Sequence, residues 1–144
     1  MKFDQIQHEW EKDSKIDKTE LGDESIKIPQ LHSKYFKIYS EEKGRFTGLQ
    51  HEYHKLYRLK YEYFAGTISE EKLSEKGWDP QPLKIIRQDI PMYLNSDDDI
   101  VLIKQKIELQ EQKLEYLESI IKSLSNRGFQ IKTAVDWIKF TQGL

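Results

Sequence analysis

Residues 27–60 form a basic and aromatic segment whose side chains could bind a charged ligand. The segment carries eight basic and three acidic side chains, whereas residues 1–26 carry four basic and eight acidic ones. The aromatic residues between its cations are Tyr35, Phe36, Tyr39, Phe46, Tyr53 and Tyr57. Single-stranded nucleic acid is typically bound by cations along the phosphates and by aromatic rings against the bases. The composition fits such a ligand, but core tyrosines behind a solvated lysine face would give the same pattern.

Arg58 and Lys60 are the first candidates for phosphate contacts. On a helix with Leu56 at the centre of its apolar face, Arg58 falls on the outer face together with Lys55. Lys60 falls inside the apolar stripe, where its stem can be buried while the ammonium group reaches water, or where a second copy would meet it. One straight helix therefore cannot bring both side chains to the same phosphate. The supporting candidates are Lys55, His54, Lys34, Lys37, Lys43 and Arg45.

Catalytic and metal-binding signals are weak. His51 and His54 have possible ligand spacing, but no carboxylate occupies a matching third position. The acidic run Asp97 to Asp99 could suggest a metal-dependent nuclease, yet capping of the following helix explains it more simply. The chain has no cysteine and no phosphate-loop, nucleophile-elbow or HExxH motif. We therefore expect no enzymatic activity, no metal site and no cofactor.

A heptad-like seam lies between Ile100 and Leu124. Its members are Ile100, Ile103, Ile107, Gln110, Leu114, Leu117, Ile121 and Leu124. Steps of three and four residues over more than three heptads predict a long helix that packs along another helix. The single polar member, Gln110, could fix register or oligomeric state. Self-assembly and an internal helical bundle both remain open for this pattern.

The remaining periodicity predicts further helices. An amphipathic helix is expected over residues 3–16, and a second one from about Pro29 to Ala65, ended by Gly66. Gly44 and Gly48 weaken the middle of this second helix, so a kink or a break into two helices is expected there. Residues 17–27 are expected to form a linker or a short turn of helix.

The connection over residues 67–98 is expected to be irregular. It should contain a short helix that begins near Ser69 and ends at Gly77. Residues 83–90 could be strand or helix, with an interruption at Pro91.

The long helix is expected to end near Gly128, and a short terminal helix should follow. Phe129 and Trp137 would then fold back onto the seam. The predicted oligomerisation residues are Ile103, Ile107, Gln110, Leu114, Leu117, Ile121, Leu124, Phe129 and Trp137.

Length and composition indicate one all-α domain over residues 1–144. We divide it into N-terminal helices (1–66), a connection (67–98) and oligomerisation helices (99–144). The chain has 37% hydrophobic and 33% charged residues, a balance that suits long solvated helices. No apolar run approaches the roughly 20 residues that a membrane span needs. A soluble cytoplasmic protein is therefore expected.

Several short motifs resemble those of the UvsY family of bacteriophage recombination mediators. The run from Tyr57 to Gly66 resembles that family's basic-x-basic, acidic, aromatic-aromatic, small-glycine motif. The tail from Arg127 to Lys132, followed by Asp136, Phe140 and Gly143, resembles its C-terminal signature. Glu11 to Asp13, Ile16-Asp17 and Ser33 to Tyr35 are similar to its N-terminal half. The proline-punctuated residues 78–95 depart from the family pattern.

The resemblance implies a concrete function. It implies binding of single-stranded DNA through Arg58 and Lys60, assembly of a homo-oligomeric ring of six or seven copies, and no catalysis. It further implies loading of a RecA-like recombinase of the UvsX type onto strands covered by the phage single-strand-binding protein, in the cytoplasm of the infected bacterium. The expected architecture is an elongated helical protomer with a long heptad-patterned C-terminal helix and a short terminal helix. The alternative is a helical adaptor that binds protein partners without nucleic acid.

Overall fold

The computed structural model describes residues Met1 to Gly143, and this range contains helices but no strand. The elements are α1 (Phe3–Asp13), α2 (Leu21–Ala65), α3 (Glu70–Lys76), a 3₁₀ helix (Arg87–Asp89), α4 (Ile90–Ser96) and α5 (Asp98–Thr141). The all-α prediction is confirmed. The chain packs as two compact units: unit 1 combines Met1–Gly44 with the chain from Glu111 onward, and unit 2 is Arg45–Gln110. The long helices α2 and α5 pass through both units, so this division does not follow the three segments expected from the sequence.

α2 begins at Leu21, eight residues before the predicted start, and it continues without a break to Ala65. A turn precedes it, in which the backbone N–H and the hydroxyl group of Thr19 both donate to Asp17. Pro29 lies inside the helix on its exposed side, where the carbonyl group that loses its N–H partner is open to water. The predicted break at Gly44 and Gly48 is wrong.

α5 does not end at Gly128, and the predicted short terminal helix is wrong. Leu124, Arg127 and Ile131 are all buried, so the packed face of α5 continues across the glycine. Tertiary packing here outweighs the roughly 1 kcal/mol by which an internal glycine weakens a helix. Gly143 adopts a positive φ of 69° just after the helix end, whereas Gly128 does not.

The connection between the long helices follows its local signals. The Ser69 side chain accepts a hydrogen bond from the N–H of Lys72, and Gly77 ends α3 with a φ of 68°, as predicted. Residues 83–86 are irregular and residues 87–90 are helical, so the helix alternative holds for the second half of the range and no strand forms over 83–90. Pro91 lies in the first turn of α4 rather than interrupting an element. Asp97 then caps α5 by accepting hydrogen bonds from the N–H groups of Asp99 and Ile100.

Unit 1 has an apolar core built from α1, α2 and α5. The fully buried members are Ile6, Tyr35, Leu117, Ile120 and Leu124. The hydroxyl group of Tyr35 donates to Asp13 at 2.7 Å, so the polar end of this core tyrosine is satisfied. Burial of such apolar side chains contributes about 1.5–3 kcal/mol each.

Unit 2 combines a small aliphatic core with a series of aromatic contacts. Ile90, Leu94, Ile100 and Ile103 are buried. The contacting ring pairs are Tyr63 with Phe64, Tyr63 with Trp78, and Phe64 with Tyr93. These rings join the end of α2 to the connection that follows it.

Candidate nucleic-acid interface

The outer face of α2 in unit 2 carries exposed cations. The side chain of Arg58 is 85% exposed, and its Nε lies 3.3 Å from Oε1 of Glu62, one helical turn further on. Lys55 and His54 are also exposed. The predicted outward position of Arg58 is confirmed. An exposed ion pair of this kind is weak, typically below about 1 kcal/mol, so Glu62 leaves Arg58 available to a phosphate group.

Lys60 points the opposite way, into unit 2, and the residue is only 5% exposed. Its Nζ lies 3.1 Å from Asp97 and 2.9 Å from Asp99 at the start of α5. The prediction that Lys60 falls inside the apolar stripe is confirmed. The same placement disagrees with a direct phosphate contact by Lys60, because its ammonium group is already held by two carboxylates and is largely covered.

The cluster around Lys60 also contains an indole ring. The Nζ of Lys60 lies 4.0 Å from the centroid of Trp78, a favourable distance for a cation–π contact. Tyr63 meets Trp78 edge-on at 5.4 Å between ring centroids. Lys60 therefore ties together α2, the Trp78 that follows the helix-ending Gly77, and the first turn of α5. The sequence reasoning missed Trp78, although its position directly after the helix-ending Gly77 was a signal that its backbone is fixed.

The basic residues of unit 1 have different surroundings. Lys34 lies 2.7 Å from both Glu9 and Asp13 and is therefore committed to α1. Hydrogen bonding from Lys34 holds the pKa of Glu9 below its ordinary value. Burial opposes ionisation of Asp13, but hydrogen bonds from Lys34 and Tyr35 outweigh it and lower the pKa of that carboxyl group. The structure thus gives Lys34 a partner within the chain.

The other supporting candidates lie on the surface of their own units. Lys37 and Lys43 are exposed in unit 1, and Arg45 is exposed in unit 2. Of the basic residues singled out from the sequence, Lys60 alone is buried. The exposed ones are therefore positioned to meet a ligand in solution.

The predicted oligomerisation residues fall into two groups. Within one chain the structure buries Ile103, Gln110, Leu114, Leu117 and Leu124, and it half-buries Ile107 and Ile121. The internal-bundle alternative therefore accounts for the buried members of the seam.

Phe129 and Trp137 are 74% and 63% exposed, so the prediction that they fold back onto the seam is wrong. The continuous helix carries them past Gly128 on its outward side, together with Phe140, which is 76% exposed. These three rings are hereafter called the aromatic stripe of α5.

Arg127, a member of the C-terminal motif, joins α5 to the end of α1 within unit 1. Its Nη2 donates to the carbonyl groups of Asp13 and Ser14, at 2.9 and 3.3 Å, and so caps the end of α1. Its guanidinium group also lies 5.5 Å from the ring centroid of Trp10. No sequence signal linked this arginine to α1, because 114 residues separate it from Asp13.

Among Met1 to Gly143, no group of three or more histidine, aspartate or glutamate side chains is arranged to hold a metal ion. The acidic run at Asp97 is used for helix capping and for Lys60, in line with the simpler interpretation. Over the same residues, no helix is both long and apolar enough to cross a membrane.

Solved structures with this fold include crystal forms of a bacteriophage T4 protein. One crystal form of the T4 recombination mediator protein UvsY matches with a TM-score of 0.84 and 20% identity, covering 99% of this chain and 98% of that one. A second crystal form matches with a TM-score of 0.85 and 20% identity, covering 97% and 99%. At this identity the likeness establishes the fold. No curated protein sequence matches the chain.

The sequence model of one family spans nearly the whole chain. That family is described as UvsY, recombination, repair and ssDNA binding protein, and it matches residues 9–144. The match includes the outer face of α2, the Lys60 cluster and the aromatic stripe. The chain therefore belongs to the UvsY family of recombination, repair and single-stranded DNA-binding proteins.

Proposed function

We propose that this protein is a recombination mediator that loads a RecA-like recombinase of the UvsX type onto single-stranded DNA covered by single-strand-binding protein. The observation that carries the proposal is the family match over residues 9–144. The T4 protein with the same fold is named a recombination mediator. The protein would act by binding and positioning DNA, without a catalytic step, in the cytoplasm of the infected bacterium.

The outer face of α2 in unit 2 is our candidate for the first DNA contact. Arg58, Lys55 and His54 are exposed there, and among residues 1–143 the ion-pair partner of Arg58 is the single carboxylate of Glu62. Phosphate contacts of this kind are independent of sequence and weaken steeply with salt. A mediator needs both properties, since it must bind any strand and release it to the recombinase. Lys37, Lys43 and Arg45 are secondary candidates, and Lys34 ranks below them because Glu9 and Asp13 hold its ammonium group.

Self-assembly would multiply these weak contacts. The aromatic stripe of α5 exposes three large rings on one chain, and contiguous exposed apolar surface often marks a protein interface. A ring of six or seven copies held through Phe129 and Trp137 would repeat the α2 face around one strand. Linked sites of this kind can bind 10²–10⁴-fold more tightly than one site alone.

Loading can be tested by the strand-dependent ATP hydrolysis of a RecA-like phage recombinase on DNA already covered by single-strand-binding protein. The wild-type protein should shorten the lag before hydrolysis begins. Arg58→Ala should leave most of the lag in place, because fewer phosphate contacts compete with the covering protein. Arg87→Ala, another exposed arginine of unit 2, is the matched control and should behave as wild type. An unchanged lag with wild-type protein would contradict the loading proposal.

A protein-binding adaptor is the second candidate. Leu83, Ile86 and Met92 of unit 2 are each at least 60% exposed, which favours contact with a protein surface. An adaptor should keep its partner when Arg58 is replaced by alanine and should show no affinity for a labelled strand at low salt. Strand binding that depends on Arg58 would exclude the pure adaptor.

A further inference from the structure

A cleft of about 300 Å³ opens in unit 2 beside the Lys60 cluster. Trp78 forms part of its wall, and Leu56 and Ile103 supply apolar surface. Lys76 and Lys106 lie at the same cleft. This volume is at the lower end of the range for small-ligand sites, about 300–1,000 Å³. The cleft thus has room for a group about the size of one nucleotide.

Trp78 is held in place by contacts that do not depend on a ligand. Its backbone N–H donates to the carbonyl group of Leu73 at 3.2 Å, across the turn made by Gly77. Lys60 lies over its ring, and Tyr63 meets it edge-on. The indole therefore needs little ordering when another flat ring contacts it. An ordered aromatic ring at the wall of a cleft is what base stacking requires.

The charges at this cleft favour an anion. Within Met1 to Gly143, Lys76 and Lys106 form no ion pair, and neither does Lys55 in the adjoining cleft. Asp99 also reaches the cleft, but its carboxylate is 2.9 Å from the ammonium group of Lys60. Glu52 is the remaining acidic group of the wall. Lys60 offsets one of its two carboxylates, so the cluster leaves one negative charge besides that of Glu52. Lys76, Lys106 and the adjoining Lys55 exceed these two negative charges by one, and this small positive balance favours a phosphate group.

We propose that this cleft binds one nucleotide of a single-stranded DNA, with the base against Trp78 and the flanking phosphates at Lys76 and Lys106. The proposal rests on the proposed function and names a second contact for the strand. Lys60 then acts as a positioning residue, because it holds Trp78 and the first turn of α5 without contacting DNA itself. This role accounts for the burial of Lys60, which is the second basic residue of the basic-x-basic motif.

Photocrosslinking tests the placement of the base. An oligo-dT carrying 5-iododeoxyuridine would be irradiated in complex with the full-length protein and digested with trypsin. The peptide spanning residues 77–84 contains Trp78 as its only aromatic residue. A crosslink on that peptide, lost in Trp78→Ala, is the expected result. Crosslinks confined to other peptides would overturn the proposal.

Binding of a fluorescent oligo-dT tests the energetics. Trp78→Ala should weaken binding about tenfold, and Trp78→Phe should weaken it less, because a ring remains to stack. A double variant, Lys76→Ala with Lys106→Ala, should reduce the slope of log affinity against log salt by about 1.4, since each phosphate contact on a single strand contributes about 0.7. This variant touches no buried group and so remains informative if Trp78→Ala is poorly folded.

A matched double variant separates a local effect from a change in net charge. Lys72→Ala with Lys84→Ala removes the same two charges from exposed positions of unit 2 away from the cleft. Its salt slope should equal that of the wild-type protein. Equal slopes for both double variants would overturn the cleft proposal.

The outcomes also distinguish this proposal from the proposed function. Normal strand binding that depends on Arg58, combined with wild-type affinity in Trp78→Ala, would overturn the cleft and leave single-stranded DNA binding intact. Absence of strand binding by the wild-type protein, even at low salt, would overturn both.

Discussion

Unit 1 and unit 2 each hold a lysine between two carboxylates, but the two lysines differ in how far they are covered. The Lys34 side chain is 37% exposed, whereas that of Lys60 is 7% exposed. Lys34 joins α2 to α1 on the surface of unit 1, and Lys60 joins α2 to the start of α5 inside unit 2. A basic residue in a predicted DNA-binding segment can therefore serve to join two helices of the fold, and its spacing in the sequence does not reveal this.

The largest expected difference between the units comes from removing these two ammonium groups. Lys60→Ala should lower the free energy of unfolding by about 3 kcal/mol, because the largely covered carboxylate of Asp97 loses its partner and the contact with Trp78 is lost. Lys34→Ala should lower it by about 1 kcal/mol or less, because the Lys34 side chain and that of Glu9 are each 37% exposed and their ion pair is screened by water. Urea unfolding of both variants measures the difference. Equal decreases in unfolding free energy would show that the solvent exposure of the lysine does not set its contribution to stability.

The second comparison sets a buried residue of the seam, Leu124, against the aromatic stripe of α5. Leu124→Ala should destabilise the chain by about 2–5 kcal/mol, because Leu124 is fully buried in one copy. Trp137→Ser should change the unfolding free energy little but reduce the assembled mass measured by light scattering. A stable Leu124→Ala variant that dissociates into monomers would reverse this assignment.

Acid should affect unit 1 through Asp13, whose pKa is held low in the folded protein. A carboxyl group whose pKa is lowered by folding stabilises the fold at any pH above its pKa in the unfolded chain, which is near 4. That contribution is lost as the pH falls through its lower pKa in the folded protein. Asp13→Asn should therefore be less stable at pH 7, by about 1 kcal/mol, and lose less stability than the wild type on acidification. Melting temperatures between pH 7 and pH 3 measure this. Parallel curves for the two proteins would contradict the role of Asp13.

The smallest expected effect concerns the partner of Arg58 in unit 2. Glu62→Gln removes the carboxylate that lies 3.3 Å from Arg58 while leaving the backbone carbonyl group that accepts from Thr67. Affinity for oligo-dT should rise by about twofold, in keeping with the weakness of an exposed ion pair. In an Arg58→Ala background the same substitution should have a smaller effect. An equal gain in both backgrounds would mean that Glu62 weakens binding by repelling the strand and not by pairing with Arg58.

Local signals predicted several features of the fold correctly. Gly66 and Gly77 adopt the positive φ expected of helix-ending residues, and Asp97 caps α5. The helical projection also separated Arg58 from Lys60, because α2 is regular over this range. These predictions depended on residues within a few positions of one another.

The predictions that failed depended on contacts between distant residues. Gly128 has the residue type of a helix terminator, but burial of Arg127 and Ile131 keeps α5 helical. The carboxylates that hold Lys60 are 37 and 39 residues away, so its spacing on α2 gave no indication of them. Trp78 escaped notice for the same reason, since its role depends on Lys60 and Tyr63 meeting it.

The most direct test of the account is a salt titration of binding to a fluorescent oligo-dT, with light scattering in the same buffers. We expect tight binding by the wild-type protein that weakens steeply with salt. Arg58→Ala should bind several-fold more weakly with a shallower slope and an unchanged assembled mass, and Arg87→Ala should match the wild type. A wild-type protein that does not bind the strand at low salt, or equal binding by both arginine variants, would contradict a DNA contact at the outer face of α2.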